Sequence, residues 1–327
     1  MTAGPAPMRA ADPTRTIFFG SGTFAVPILE ALVALPGVRV VAVVTAPERP
    51  AGRSHALTST PVALLARSLG LDVLQPTRVR APEAVAEIAR LRPDLGVLAD
   101  YGQIVPRALL DVPPHGILNV HPSRLPRHRG ATPIPSTIAE GDAEAGVTIF
   151  RMDDGIDTGP IVALDTWPLV GTERAPELEA EAARRGAQLL GATIDGWLAA
   201  TLLARPQPAD GANVTRPFRR EDGRLDPSRP ARELERRVRA HVPWPGSFVD
   251  TALGRVTVLA ASVADTAGDE EPGRLVAHDG RFALTTSGGR LVFEEAQREG
   301  KRPIDGAAFL RGQRQLVNTG ILGAASR

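Results

Sequence analysis

The N-terminal half of the chain alternates between short apolar runs and segments of helical periodicity, and this alternation constrains the fold most. Residues 16–19 form a short apolar run that ends at Gly20, residues 24–35 have helical periodicity, and residues 38–45 are almost continuously β-branched. Such runs are typical of parallel strands that are buried on both faces. The opening segment therefore predicts a βαβ unit.

The same alternation continues to about residue 203. We predict further helices near 61–69, 81–91, 133–140 and 174–203, and further strands near 71–74, 95–100, 116–121 and 147–152. Alternating β and α elements imply a doubly wound sheet with helices on both faces. The predicted fold class of this region is therefore α/β, with a Rossmann-like architecture.

The pattern changes after residue 204. Residues 205–220 are rich in Pro, Gly and charged side chains, which is typical of a linker. A short predicted helix at 231–240 is followed by β-prone runs between Gly turns, at 247–251, 255–261, 273–277, 281–286 and 290–294. Short strands at close spacing predict a small barrel. We therefore expect a disordered tail at 1–13, an α/β domain at 14–204, a linker at 205–220 and a β domain at 221–327.

Composition excludes several classes of protein and site. The 327 residues include no Cys, which excludes disulfides, thiolate zinc sites and thiol nucleophiles. No run approaches the apolar length of a membrane span, and residues 1–13 lack the apolar region of a secretory signal. We therefore expect a cytoplasmic protein with no membrane partner.

Charge is distributed unevenly along the chain. Residues 1–210 carry 19 basic and 22 acidic side chains, whereas residues 211–327 carry 19 basic and 15 acidic ones. A positive C-terminal part fits an anionic macromolecular partner. A chance fluctuation of composition explains this asymmetry equally well when it is taken alone.

Chemistry-bearing side chains are concentrated between residues 117 and 159. Asn119 and His121 end an apolar run, and side chains two apart on a strand share a face. Strand ends are where ligands bind in open α/β sheets. Asp157 follows the strand-like run 147–152 on a loop between glycines. An oxyanion donor, a proton shuttle and a carboxylate that orients the shuttle together suit acyl transfer.

Each of these residues also has a structural interpretation. A strand-end Asn caps turns, a single His is more often structural than catalytic, and Asp157 could cap a loop or helix. Spacing alone does not choose between Asp157 and its neighbours Asp153 and Asp154. No pair of His has the helical spacing of metal ligands, so we predict no metal site.

The turn Gly20-Ser21-Gly22 is similar to a dinucleotide-binding fingerprint. That fingerprint needs an acid at the end of the second strand, but the strand here ends in Val44-Thr45-Ala46. We therefore favour a tight turn that packs helix against strand over a nicotinamide site.

The pattern Asn-x-His-x-Ser-x-Leu-Pro-x-x-Arg-Gly at 119–130, with Asp-Thr-Gly at 157–159, resembles the folate-dependent formyltransferases. Further matching motifs fall in the order of that family, at 19–25, 47–53, 101–102, 141–142 and 242–245. The resemblance covers roughly residues 16–300. It implies a Rossmann-like catalytic domain and an OB-like C-terminal domain.

The resemblance also implies roles for individual residues. Asn119, His121 and Asp157 correspond to the catalytic set, with Asp157 holding His121 and favouring its charged form. The loop that borders the folate site corresponds to Ser123, Arg124, Leu125 and Pro126, and the family usually has Leu where this chain has Arg124. The implied formyl donor is 10-formyltetrahydrofolate, without a metal.

The implied acceptor is the α-amino group of methionyl initiator tRNA, and we expect a monomer. Arg49 and Arg53 lie in a Pro/Gly loop that resembles the family's contact to the tRNA acceptor stem, although a solvated connection fits its composition. The segments 215–218 and 225–227 depart from the family's pattern. The alternative function is a sugar-nucleotide N-formyltransferase; a non-catalytic folate or tRNA binding module is disfavoured because the catalytic set is complete.

Overall fold

A computed structural model describes residues 12–51, 56–265 and 271–323. Most of the predicted tail and the predicted tRNA contact Arg53 lie outside these residues. The chain separates into two compact units. The first unit comprises residues up to Pro126, Gly146–Asp165 and Glu181–Gly211, and the second comprises Arg127–Ala145, Thr166–Ala180 and the residues from Ala212 onward. The domain boundaries expected from the sequence stay a prediction.

The N-terminal sheet has seven strands in the order β10-β9-β7-β6-β1-β2-β5. The strands of the chain up to residue 168 are β1 Thr14–Gly20, β2 Val38–Val44, β3 Arg49–Ala51, β4 Ala56–Thr58, β5 Val73–Leu74, β6 Leu95–Ala99, β7 Ile117–His121, β8 Arg129–Gly130, β9 Glu144–Arg151 and β10 Ile161–Pro168. Strands β1, β2, β5, β6 and β7 run parallel, and β9 is antiparallel to β7. The predicted Rossmann-like class is confirmed.

Helices cover both faces of this sheet. The α-helices of the described chain are α1 Ala25–Ala34, α2 Pro61–Ser68, α3 Pro82–Arg90, α4 Arg107–Leu110, α5 Pro133–Glu140, α6 Ala175–Leu198, α7 Ala231–Ala240 and α8 Gly306–Gly312, of which α5, α7 and α8 belong to the second unit. Ile17 and Phe19 of β1 join a buried apolar cluster with Ile88 of α3 and Leu109 of α4. On the opposite face, Val120 of β7 packs against Gly186 of α6. Alternate residues of each strand therefore face different helices, as full burial of a parallel sheet requires.

A curled antiparallel sheet forms the core of the second unit, and the OB-like C-terminal fold is confirmed. Its strands are β12 Ser247–Thr251, β13 Gly254–Ala264, β14 Arg274–His278, β15 Arg281–Thr285, β16 Arg290–Arg298, β17 Ile304–Asp305 and β18 Thr319–Gly320, and the short β11 Val214–Thr215 pairs with β8. Phe282 and Phe309 pack edge to face at 5.8 Å between ring centroids inside this sheet. Leu234 and Val238 place one face of α7 in the same core.

The end of α6 and strand β10 are among the features that differ from the expectations. Helix α6 ends at Leu198 instead of continuing to residue 203, because Ala200 adopts a left-handed backbone and the N–H groups of Thr201 and Leu202 both bond the Gly196 carbonyl. Strand β10 was not predicted; it is a partly exposed edge strand without apolar alternation. No helix in the described part of the chain is long and apolar enough to span a membrane.

Candidate active site

The amide and imidazole of the motif project from one buried strand. Asn119 and His121 are only 7% and 5% exposed, and they alternate along β7 with Leu118 and Val120, which are fully buried against the opposite face. Two polar side chains therefore point side by side out of an otherwise apolar strand. Burying them costs free energy unless they find polar partners.

The neighbouring strand and helix fix the position of β7. In the antiparallel pairing with β9, His121 lies opposite Thr148 and Asn119 lies opposite Phe150. The Phe150 ring meets the imidazole edge to face, with 6.5 Å between ring centroids. On the other side, a Cβ added at Gly186 would lie 2.9 Å from Val120 Cγ1, so that only Gly allows α6 to pack this closely.

The carboxylate of Asp157 lies between the amide and the imidazole. Its Oδ1 is 3.5 Å from the Asn119 amide nitrogen, and its Oδ2 is 3.6 Å from His121 Nδ1. The Asp157 side chain is 15% exposed. These distances are at the long limit for hydrogen bonds. The structure thus brings together the three side chains that the sequence predicts as the catalytic set.

The two neighbouring carboxylates have other partners. Asp153 Oδ1 accepts hydrogen bonds from the Gly155 N–H at 3.1 Å and from the Thr158 hydroxyl at 2.7 Å, so it shapes the loop. Asp154 is exposed and faces Arg107 at 3.4 Å. Of the three carboxylates that spacing alone left open, Asp157 is the one that lies beside both Asn119 and His121.

The loop from Ser123 to Pro126 is anchored beside this cluster. The Thr148 hydroxyl donates to the Ser123 carbonyl at 2.7 Å and accepts from the Leu125 N–H at 3.2 Å. The Ser123 and Leu125 side chains are buried, Arg124 is exposed, and Pro126 is partly buried. The predicted folate loop is thus held at the end of β7 by one buried hydroxyl of β9.

Gln207, in the segment predicted as a linker, is a further residue of this site that was not predicted. Its side-chain amide donates to the carbonyls of Asp157 and Gly159, each at 2.8 Å. Nothing in the local pattern around Pro206-Gln207-Pro208 indicates a contact with a loop 50 residues earlier.

The glycine-rich turn after β1 has a structural role. A Cβ added at Gly22 would lie 1.7 Å from Asp100 Oδ2, and the N–H groups of Ser21 and Gly22 bond the Asp100 carbonyl. A carboxylate beside the turn would repel a pyrophosphate. This geometry supports the tight-turn interpretation.

Arg49 begins β3 and is exposed. The hairpin formed by β3 and β4 was not predicted; it pairs Arg49 with Thr58 in antiparallel register. Because Arg53 lies outside the described residues, the tRNA contact of this loop stays a prediction.

Within the described residues, one cluster has the side chains of a metal site. His128, Glu140 and Asp142 place their ligand atoms within 4.8 Å of one another. Arg127, however, forms ion pairs with Glu140 at 2.6 Å and with Asp142 at 2.5 Å. Burial opposes ionisation of Asp142, but hydrogen bonds from His128 and Arg127 outweigh it and lower its pKa to about 2. A guanidinium already supplies the positive charge that a cation would bring.

Two family comparisons match the chain in succession. Residues 14–194 match the formyl transferase family, and residues 217–314 match the formyl transferase C-terminal domain. Among curated relatives, the methionyl-tRNA formyltransferase of Roseiflexus sp. (strain RS-1) is 43% identical over 92% of this chain and 93% of its own length. The methionyl-tRNA formyltransferase of Myxococcus xanthus (strain DK1622) is 41% identical over 92% of this chain and 95% of its own length.

Solved structures share the fold at lower identity. A sugar 3N-formyl transferase, crystallised with dTDP and 5-N-formyl-THF, has a TM-score of 0.64 at 15% identity and covers 88% of this chain and 99% of its own. HypX from Aquifex aeolicus in complex with tetrahydrofolic acid has a TM-score of 0.58 at 16% identity and covers 91% of this chain and 47% of its own. At these identities the likeness concerns the fold alone.

Proposed function

The chain belongs to the methionyl-tRNA formyltransferase family, and we propose that it transfers the formyl group of 10-formyltetrahydrofolate to the α-amino group of methionyl initiator tRNA. Relatives of that name match almost the whole chain at over 40% identity. The observation that carries the proposal is the contact of one partly buried carboxylate, Asp157, with both Asn119 and His121.

The reaction needs an oxyanion donor and a proton carrier. The acceptor amine must be neutral to attack, and α-amino groups titrate near pH ~8. Its nitrogen forms a bond to the formyl carbon, and the formyl oxygen becomes an oxyanion. The Asn119 amide N–H is the donor to that oxygen, because a preorganised donor in a buried site stabilises developing charge.

Collapse of this intermediate breaks the bond between the formyl carbon and N10 of the folate. The attacking amine loses a proton and N10 gains one, and His121 carries this proton between the two nitrogens. Asp157 faces His121 Nδ1 at 3.6 Å, which orients the ring so that Nε2 serves the transfer. The negative charge of Asp157 stabilises the imidazolium that forms during the transfer.

The donor is assigned to the loop that follows β7. Ser123, Leu125 and Pro126 form the wall next to the catalytic cluster, and the exposed Arg124 is placed to meet an anionic part of the folate. Binding of the tRNA acceptor is assigned to Arg49 and Arg53. The excess of basic side chains in residues 211–327 attracts the tRNA.

The test is a product analysis with two acceptors. The purified protein is given 10-formyltetrahydrofolate with either charged initiator tRNA or an amino-sugar nucleotide, and the products are identified by mass spectrometry. We expect formylmethionyl-tRNA and no formylated sugar nucleotide. Formylation of the sugar nucleotide alone would overturn the proposal and establish the alternative acceptor.

A further inference from the structure

We propose that Gln207 is a positioning residue for the reaction, because its side chain holds the loop that presents Asp157. This inference rests on the proposed function, in which Asp157 orients the His121 imidazole and stabilises its imidazolium form. The two acceptors of the Gln207 amide are the carbonyls of Asp157 itself and of Gly159, both at 2.8 Å. One amide group therefore bonds the backbone of Asp157 itself and the backbone two residues later.

The loop needs such support because Asp157 has an unfavourable backbone conformation. Its φ is +51°, in the left-handed region that non-Gly residues enter at a cost. Residues held in such conformations persist only where the surrounding structure enforces them. In this conformation the Asp157 side chain lies at 3.5 Å from the Asn119 amide and 3.6 Å from His121 Nδ1.

The backbone around Gln207 is itself fixed. Arg205 and Ile161 exchange two backbone hydrogen bonds, at 2.7 and 2.8 Å, in an isolated antiparallel bridge. This bridge attaches the segment that carries Gln207 to the residue at the start of β10. Gln207 thus acts from an anchored segment, and its amide is preorganised toward the loop.

The opposite side of the loop is packed against β9. A Cβ added at Gly159 would lie 1.9 Å from the Arg151 carbonyl oxygen, and the Arg151 N–H bonds the Pro160 carbonyl at 3.0 Å. The loop is therefore held between the end of β9 and the Gln207 amide. Loss of the amide removes one of these two restraints and leaves the other in place, so that the fold survives while Asp157 moves.

The first test is the kinetics of two Gln207 variants. Gln207→Ala removes both hydrogen bonds, and Gln207→Glu keeps the size but places a carboxylate against two carbonyl oxygens. We expect kcat for methionyl-tRNA formylation to fall about 10-fold in the Ala variant and further in the Glu variant, since sub-ångström misplacement of catalytic groups costs this much. KM for both substrates should stay within about twofold of wild type. The matched control is Gln297→Ala, which removes a side-chain bond to the Lys301 carbonyl in another turn.

The second test separates positioning from a general structural role. Gln207→Ala is also introduced into the Asp157→Asn background, and thermal unfolding is measured for each variant. If Gln207 acts through Asp157, its removal should change kcat by less than about twofold once the carboxylate is gone. The same fractional loss in both backgrounds, or a wild-type kcat in both Gln207 variants, would overturn the proposal.

Failure of this inference is distinguishable from failure of the proposed function. If the wild-type protein formylates an amino-sugar nucleotide and not charged tRNA, the acceptor assignment fails, and the same four-variant cycle is measured with that acceptor. If the effects of the Gln207 and Asp157 substitutions on kcat depend on each other with that acceptor, the positioning role of Gln207 stands. If the two substitutions lower kcat independently, that role is excluded.

Discussion

The two units of this protein handle charge in different ways. In the first unit the proposed catalytic side chains are few and largely shielded from solvent, and one carboxylate contacts both an amide and an imidazole. In the second unit many of the charged side chains that the structure describes form ion pairs with one another. These pairs include Arg216–Asp222, Arg224–Asp250, Arg229–Glu233, Arg239–Glu235 and Arg255–Asp250.

The contrast shows what a charge count can and cannot establish. The basic excess of residues 211–327 is real, but a guanidinium that is bonded to a carboxylate contributes little field at a distance. The number of arginines therefore overstates the cations available for phosphates. In the first unit, by contrast, two polar side chains at a strand end indicate chemistry without any excess of charge.

The largest effect should come from removing the His121 imidazole. We predict that His121→Ala lowers kcat for formylation by at least about 10²-fold, because the proton carrier is lost. Folate binding and thermal stability should persist, since the residue is not part of the apolar core. The measurement is steady-state formylation with both substrates varied. A kcat within a few-fold of wild type would mean that the buried cluster is not the site of chemistry.

Replacing the Asp157 carboxylate should have the next largest effect. We predict that Asp157→Asn lowers kcat about 10- to 10²-fold, because the imidazolium loses its counter-charge. Asp154→Asn is the matched control, since Asp154 is exposed and pairs only with Arg107 in the described structure. Equal losses in the two variants, measured in the same assay, would remove the distinction between these carboxylates.

A carboxylate of the second unit should affect stability and not chemistry. The pKa of Asp142 is about 2 in the fold, below its ordinary value of 3.8, because His128 and Arg127 bond it. Its depressed pKa contributes about 2 kcal/mol of stability that is present above pH ~4 and is lost as the pH falls toward 2.

Asp142→Asn should therefore lower the free energy of unfolding at neutral pH and flatten its decline with acid. Denaturant unfolding across pH measures both quantities. Asp111→Asn, which breaks an exposed pair with Arg107, is the control and should have a much smaller effect. An acid dependence that is unchanged in Asp142→Asn would show that the ion pairs of Asp142 with Arg127 and His128 do not carry it.

The smallest of these effects should come from replacing Arg53 in the Pro/Gly loop. We predict that Arg53→Ala weakens the affinity for charged tRNA several-fold, leaves folate affinity unchanged, and reduces the slope of log affinity against log salt by ~0.9. The control is Arg184→Ala, which removes an exposed helical arginine that pairs with Glu181. If folate affinity falls while tRNA affinity is retained, the loop serves the donor.

The sequence predicted regular elements and strand-end side chains well because both follow from local pattern. The positions of Asn119 and His121 on one face follow from the two-residue period of a strand. The choice of Asp157 over Asp153 and Asp154 came from a resemblance, and geometry supports it because the other two carboxylates have different partners.

Contacts between distant segments could not be predicted in the same way. Gln207 lies in a Pro-rich stretch whose composition is that of a linker, yet it bonds a loop 50 residues earlier. Gly22 resembled a phosphate-binding glycine, yet the Asp100 carboxylate lies beside it. In each case the contact that determines the role of the residue is with a partner distant in the sequence, and no local sequence pattern indicates that contact.

In the proposed mechanism the Asn119 amide stabilises the oxyanion of the chemical step and takes no part in binding the tRNA. Single-turnover formylation of methionyl-tRNA by Asn119→Ala, followed at saturating folate and over a range of tRNA concentrations, separates these two roles. We expect a rate at saturation that is lower by about 10²-fold, which is the usual loss for one oxyanion donor, with tRNA affinity unchanged. A near-normal rate at saturation, or a loss confined to tRNA affinity, would contradict it.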